Sequence, residues 1–313
     1  MLKKILLAGA ALALVAGGAQ AKELKSIGIS LGSLGNPFFI ALSKGAEYEA
    51  KKTNPNVKIL TFGYDYDLGK QVQQINNFIA AGVDLILLNP GDVKALRPAI
   101  ENAQKAGIKV IAVDTNAEGA DAAVTTDNVQ AGRIACQYFI DKLGGKGNVI
   151  IENGPQVSSV VDRVQGCKDA ISKTDMKILS SDQDGKGQRD AGLTVMKSLL
   201  TRFPDVQAVF TINDPQALGS DLAAKQLNRN NLIITSVDGA PDIEAALKDP
   251  KDPMVQASAS QDPYALARKG VDIGVDLLNG KEPAQKVTLV PSSLVTRENV
   301  KDYKGWQADR TGG

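Results

Sequence analysis

Short apolar runs rich in β-branched residues recur about every 25 to 30 residues, with stretches of helical period between them. That alternation is the mark of βαβ units and of parallel sheets covered on both faces. Candidate strands fall at 26–29, 57–62, 85–88, 110–113, 149–152, 177–179, 208–211, 233–237, 254–259 and 287–289. Ten strands are more than one ordinary open sheet holds, so two sheets are expected. An internal echo supports the division. Val83-Asp84-Leu85-Ile86-Leu87-Leu88-Asn89-Pro90 leads through a helix to Lys109-Val110-Ile111-Ala112-Val113-Asp114. Val206-Gln207-Ala208-Val209-Phe210-Thr211-Ile212-Asn213-Asp214-Pro215 leads likewise to Ile233-Ile234-Thr235-Ser236-Val237-Asp238, and both pairs, Asn89 to Asp114 and Asn213 to Asp238, are 25 residues apart. The same unit twice means two similar α/β lobes, each with polar groups at its strand ends, where open α/β sheets take ligands.

Charge and composition narrow the chemistry. Among 313 residues, 36 Lys plus Arg face 35 Asp plus Glu, so no basic excess exists to neutralise phosphates, and nucleic acid is not an expected partner. There is no histidine, which removes the Ser-His-Asp triad, the Cys-His pair and the His-ligated metal site together. The loop Asp184-Gly185-Lys186-Gly187 lacks the upstream Gly and the Ser/Thr of a phosphate-binding loop. No enzyme and no cofactor are expected.

Lys3 and Lys4 precede an apolar run over 5–16, and Ala19-Gln20-Ala21 supplies small residues at the spacing a signal peptidase reads. Residues 1–21 are therefore expected to be a signal peptide cleaved after Ala21. The run falls short of the roughly 20 apolar residues an anchoring helix needs. The mature protein belongs in an oxidising compartment, best a bacterial periplasm. There Cys136 and Cys167 either join in a disulfide or serve as two buried small hydrophobes.

Gly35-Asn36-Pro37-Phe38-Phe39 follows the first strand and opens an amphipathic stretch. Asn36 suits a helix N-cap and Pro37 the first turn. Phe38 and Phe39 either stack one ring on a ligand or form a pair of core aromatics. Together with Asp127-Asn128, Arg163-x-x-Gly166, Pro204-Asp205-Val206-Gln207-Ala208-Val209-Phe210, Asn213-Asp214, Val237-Asp238-Gly239-x-Pro241-Asp242 and Gln261-x-Pro263, this segment resembles the periplasmic ribose-binding protein family. The resemblance runs in order over nearly the whole mature chain.

It implies a type I periplasmic binding fold: two doubly wound, Rossmann-like α/β lobes joined by a three-crossover hinge. One lobe would span 24–126 plus 262–290, the other 127–261 plus 291–313. It also implies a sugar or polyol held between the lobes, an ABC transporter permease as partner, a chemoreceptor as a further reader, and a monomer. Carried over by motif, Asn36 would bond a hydroxyl, Phe38 and Phe39 contact sugar faces, and Asp114 supply the cleft carboxylate. Arg163 would bring the guanidinium, Asn213 an amide, Asp238 the second carboxylate, and Gln261 a contact at a crossover. A sugar, a ring of hydroxyls over apolar C–H faces, asks for such a set.

The departures bear on specificity. Thr115 stands where ribose binders carry Arg, Gly32 where they carry Ser, and a second-lobe aromatic of the family falls near Gly187 and Gln188. Thr115 enters the candidate site as a lone hydroxyl, and a different pentose, a hexose or an acyclic polyol becomes the expected ligand. Tyr64, Asp65 and Tyr66, after the second strand, either add contacts or line the rim, with the rim expected. The rival reading is a secreted carbohydrate hydrolase using Asp114 and Asp238 as its carboxylate pair.

Overall fold

The protein was analysed as a computed structural model describing residues 22–251 and 253–308. The expected signal peptide, 1–21, and the last five residues of the second expected lobe lie outside the described residues. The chain forms two six-stranded sheets. The first contains β1 (Ser26–Leu31), β2 (Lys58–Gly63), β3 (Leu85–Leu88), β4 (Lys109–Val113), β5 (Ala122–Thr126) and β11 (Val287–Val290), in the order β11-β5-β4-β3-β1-β2. The second contains β6 (Asn148–Glu152), β7 (Lys177–Ser180), β8 (Ala208–Thr211), β9 (Ile233–Asp238), β10 (Val255–Ser260) and β12 (Ser293–Thr296), in the order β12-β10-β9-β8-β6-β7. All pairs are parallel except β10 with β12, where Ala257 faces Thr296.

Strand β3, Leu-Ile-Leu-Leu, is apolar throughout because both its faces are covered. In β3, Leu85 and Leu87 pack with α1 (Pro37–Thr53) and α9 (Pro263–Leu278), while Ile86 and Leu88 pack against α2 (Leu68–Ala81) and α3 (Arg97–Lys105). In β6, Val149 and Ile151 face α4 (Asn128–Lys142) and α5 (Ser158–Ile171), and Ile150 faces α6 (Arg189–Arg202) and α7 (Asp214–Gln226). The last helix, α8 (Pro241–Lys248), covers the outer part of the second sheet.

The chain passes between sheets three times: from β5 to α4 at 126–128, from β10 to α9 at 260–263, and from β11 to β12 at 290–293. These passages are tied together. The Thr126 hydroxyl donates to Gln261 Oε1 at 2.8 Å, Asp127 N donates to the Val290 carbonyl at 2.8 Å, and Ser292 N donates to Gln130 Oε1 at 2.8 Å. Polar caps start the helices that leave them, Asp127 bonding Gln130 N at 2.9 Å and Asp262 bonding Ala265 N at 3.0 Å.

Two strands, β5 and β12, were not expected from the sequence. β5 follows β4 after a short loop with no intervening helix, and its residues, Ala-Ala-Val-Thr-Thr, carry little apolar bulk. β12 is an antiparallel edge strand in which Val295 is the one buried residue. The two cysteines, left open between a bond and separate burial, form a disulfide joining α4 to α5, with Cα atoms 5.3 Å apart. A Cβ on Gly132 would land on the Arg163 carbonyl and one on Gly166 on that of Val129, so both helices touch through bare backbone.

Candidate functional site

Strand order reverses between β1 and β3 in the first sheet and between β6 and β8 in the second, which places a crevice at the carboxyl end of each. The polar residues of the internal echo stand at these ends. Asp114 directly follows β4, and Asp238 ends β9. Both have positive backbone φ, 69° and 141°, conformations that side-chain-bearing residues adopt at a cost and that gather where a side chain must be aimed.

Asp114 accepts a hydrogen bond from Asn89 Nδ2 at 2.9 Å on Oδ2. No protein donor to its Oδ1 is found among the described residues. Burial pushes its carboxyl up to about 6, against the field of Arg163, with Asp238 adding to the rise and Asn89 opposing it. Asp114, after the first sheet's β4, thus lies in the field of Arg163 and Asp238 of the second lobe, and two residues on, Asn116 N reaches Ser158 Oγ of α5 at 3.5 Å, so the two crevices adjoin.

On the opposite side Arg163, in α5 and 5% exposed, is held from three directions. Its Nε donates to Asn128 Oδ1 at 2.9 Å and its Nη1 to the Ile212 carbonyl at 2.8 Å, with Asp238 Oδ1 3.4 Å away. No protein acceptor for its Nη2 is found among the described residues. Gln261 Nε2 donates to Asp238 Oδ1 at 2.7 Å, and the Asp214 backbone N–H is a further donor to the same carboxylate. Burial holds the Asp238 carboxyl above the usual range, opposed by Arg163 and Gln261. A fixed guanidinium flanked by two aimed carboxylates, of which Asp114 has an oxygen with no protein donor among the described residues, suits charge-assisted bonds to hydroxyls.

The remaining expected residues divide. Asn36 caps α1, accepting from Phe38 N at 2.9 Å. Phe38 and Phe39 are both buried, at 7% and 6%, ring edge to face 5.3 Å apart, and Phe38 also packs on Trp306 at 5.5 Å. Both belong to the hydrophobic core of the first lobe, the core-pair reading, rather than presenting one exposed stacking ring. Thr115 is buried, and its hydroxyl donates to the Pro90 carbonyl at 3.1 Å, so its proton is used by the fold. Asn213 caps α7 through Oδ1 and donates from Nδ2 to the Gly187 carbonyl at 2.9 Å. Gln261 is fully engaged: its side chain bonds Asp238 and Thr126, and its carbonyl accepts from Trp306 Nε1 at 3.0 Å. It therefore works as a strut between hinge and cleft. The rim expectation fails for Tyr64, which is 2% exposed beneath the turn, while Tyr66 is 63% exposed.

Three buried polar residues of the site were missed. Asn89, 3% exposed, anchors Asp114, and the echo pairing it with Asp114 held the signal. Asp214 accepts from the Ser236 and Ser258 hydroxyls and from Ala240 N at 2.7 Å, and burial together with the charge of Asp238 raises its carboxyl. Glu152, wholly buried at the end of β6, accepts from the Ser220 hydroxyl at 2.6 Å, and burial pushes it up to about 8 against the bonds of Ser220 and Gln216. Glu152 ends β6 and Asp214 opens α7 three residues after β8, positions where sequence alone does not tell a buried acid from a cap.

Comparison with known proteins decides the family. A model described as a periplasmic binding protein domain matches residues 27–282. The chain belongs to this family. A ribose import binding protein of Bacillus subtilis is 34% identical over 280 residues, covering 88% of this chain and 89% of the relative. A xylitol-binding protein of Mycolicibacterium smegmatis is 30% identical over 284 residues, covering 89% of this chain and 74% of its own. Among solved structures, an ABC transporter solute binding protein of Bacillus halodurans with bound myo-inositol superimposes with a TM-score of 0.81 at 25% identity, covering 92% of this chain and 99% of that one. The two-lobe type I periplasmic binding fold follows, and the protein is a solute-binding protein rather than an enzyme. The hydrolase reading of Asp114 and Asp238 is set aside.

Proposed function

We propose that this protein captures a neutral monosaccharide or sugar alcohol between its lobes in the periplasm and delivers it to an ABC transporter. The observation that carries this reading is Asp114 lying in the field of the Arg163–Asp238 pair with its Oδ1 bonded to no protein donor among the described residues. Two carboxylates against one guanidinium disfavour anionic ligands such as sugar phosphates and suit neutral polyhydroxyl compounds. Relatives that bind ribose, xylitol and myo-inositol support the same class.

In this reading residues 1–21 are removed on export, and the lobes are 24–126 plus 262–290 and 127–261 plus 291–313. The mature monomer opens and closes about its three crossovers. Ligand shifts the population to the closed form because only there do both lobes touch it. Asn36, Phe38, Phe39 and Asp114 grip from one side, Arg163, Asn213 and Asp238 from the other. The transporter, or a chemoreceptor, then reads the closed shape.

The test is thermal unfolding of the mature protein, refolded from denaturant to strip carried ligand, against pentoses, hexoses and polyols. A true ligand at 100 times its dissociation constant stabilises by roughly 2.7 kcal/mol. Silence across the panel from a folded protein would defeat the sugar reading.

A further inference from the structure

We propose that Tyr66 closes the first-lobe end of the cleft and limits the length of the ligand, an inference that rests on the sugar or polyol reading above. Asp65 and Tyr66, in the turn after β2, are consecutive left-handed residues with φ of 51° and 62°, an arrangement that non-glycine residues resist. The turn is nonetheless clamped to the end of β1: Tyr64 N donates to the Leu31 carbonyl at 2.9 Å and Asp65 N to the Gly32 carbonyl at 2.7 Å. Asp67 then caps α2. A strained backbone pinned at both ends fixes where one ring stands.

That ring stands over Gly32. A Cβ there would lie 2.6 Å from the Phe39 ring and 3.2 Å from the ring of Tyr66, so the two rings converge where the strand carries no side chain. Tyr64 supports Tyr66 edge-on at 6.0 Å. The Tyr66 hydroxyl is within the reach of Asn36 and the field of Asp114, which places it with the candidate site residues of this lobe. Despite two supporting rings Tyr66 remains 63% exposed. Thr115, beside Asp114, is short and turned onto Pro90, and the Phe38, Phe39 and Tyr64 rings are buried, so Tyr66 brings an exposed ring to this side of the carboxylate. An amphipathic ring in this position takes a C–H face on its plane and a terminal hydroxyl on its phenol, and it stops longer chains.

The experiment measures dissociation constants by calorimetry for stripped wild type, Tyr66→Asn, Tyr66→Phe and Asp114→Ala, with glycerol, erythritol, xylitol, ribose, allose and myo-inositol as probes. Asn is chosen because it tolerates the left-handed backbone. Tyr66→Asn is expected to weaken the best wild-type ligand by about tenfold or more and to move the ranking toward the next longer compound. Tyr66→Phe, with bulk kept and the hydroxyl gone, is expected to weaken binding less and to preserve the ranking. If Tyr66→Asn keeps both affinity and ranking while Asp114→Ala loses binding, the cleft assignment stands and the role of Tyr66 is overturned. If wild type binds none of the probes, both readings fall together.

Discussion

Asp114 shows how one residue ties local backbone to binding. Its left-handed φ turns the carboxylate away from the sheet, Asn89 fixes one oxygen, and the other is free for a ligand hydroxyl. A hydroxyl donor favours the ionised carboxylate, whereas burial has raised the free protein's Asp114 to about 6. Protons therefore compete with ligand as pH falls through that value. Affinity is expected to be level above about pH 7 and to drop below 6 with a limiting slope of about tenfold per pH unit. Asp114→Asn should lose about tenfold or more at neutral pH and flatten the profile, as calorimetry across pH would register. Glu152 predicts stability instead. Its folded carboxyl, raised to about 8 from 4.5, retains a proton that the unfolded chain releases, so its contribution declines as pH rises between those values. Glu152→Gln removes the penalty: its melting temperature relative to wild type should climb from pH 5 to pH 8, and parallel curves would refute the buried-acid account.

Helices α4 and α5 form the element on which the second-lobe site depends, because Asn128 opens the first and Arg163 sits in the second. Gly132 and Gly166 bring the backbones together, and the Cys136–Cys167 bond closes a loop of 31 residues one turn further along the same faces. The double variant Cys136→Ser, Cys167→Ser is expected to lose ~3 kcal/mol in urea unfolding. Equal stability of oxidised protein and double variant would show that the glycine contacts alone hold the pair. Strands such as β3 and β8 were legible in the sequence because both faces are buried and the run is apolar, broken in β8 only by its terminal Thr211. β5 and β12 were not, since small residues and an edge position leave no period to read. The site followed the same logic: the echo pointed to Asp114 and Asp238, but its symmetry is only positional. Asn89 bonds Asp114, whereas Asn213 caps its own helix and Asp214 is the residue that crowds Asp238. Side-chain aim, set by φ and by partners distant in sequence, is absent from a linear pattern.

At the scale of the whole molecule the hinge carries its own reporter. Trp306 is the chain's one tryptophan, and its indole N–H donates to the Gln261 carbonyl at 3.0 Å while its ring packs on Phe38 of the first lobe. Gln261 in turn bonds Asp238 in the cleft and Thr126 in a neighbouring crossover. A change in lobe angle must alter at least one of these contacts, because they join parts of both lobes and two of the three passages between them. Ligand closure should therefore shift Trp306 emission, titrating with the same dissociation constant as calorimetry, and Trp306→Phe should abolish the signal while leaving the binding measured by calorimetry within about threefold. Gln261→Ala removes the strut. It leaves Asp238 without one donor and uncouples cleft from hinge, so it is expected to weaken ligand by about tenfold and to shrink the difference in radius of gyration between free and liganded protein in solution scattering. A Gln261→Ala protein that keeps wild-type affinity and the full change in radius would mean that closure is governed by the crossovers without reference to the cleft, and the link from Asp238 to the hinge would have to be abandoned.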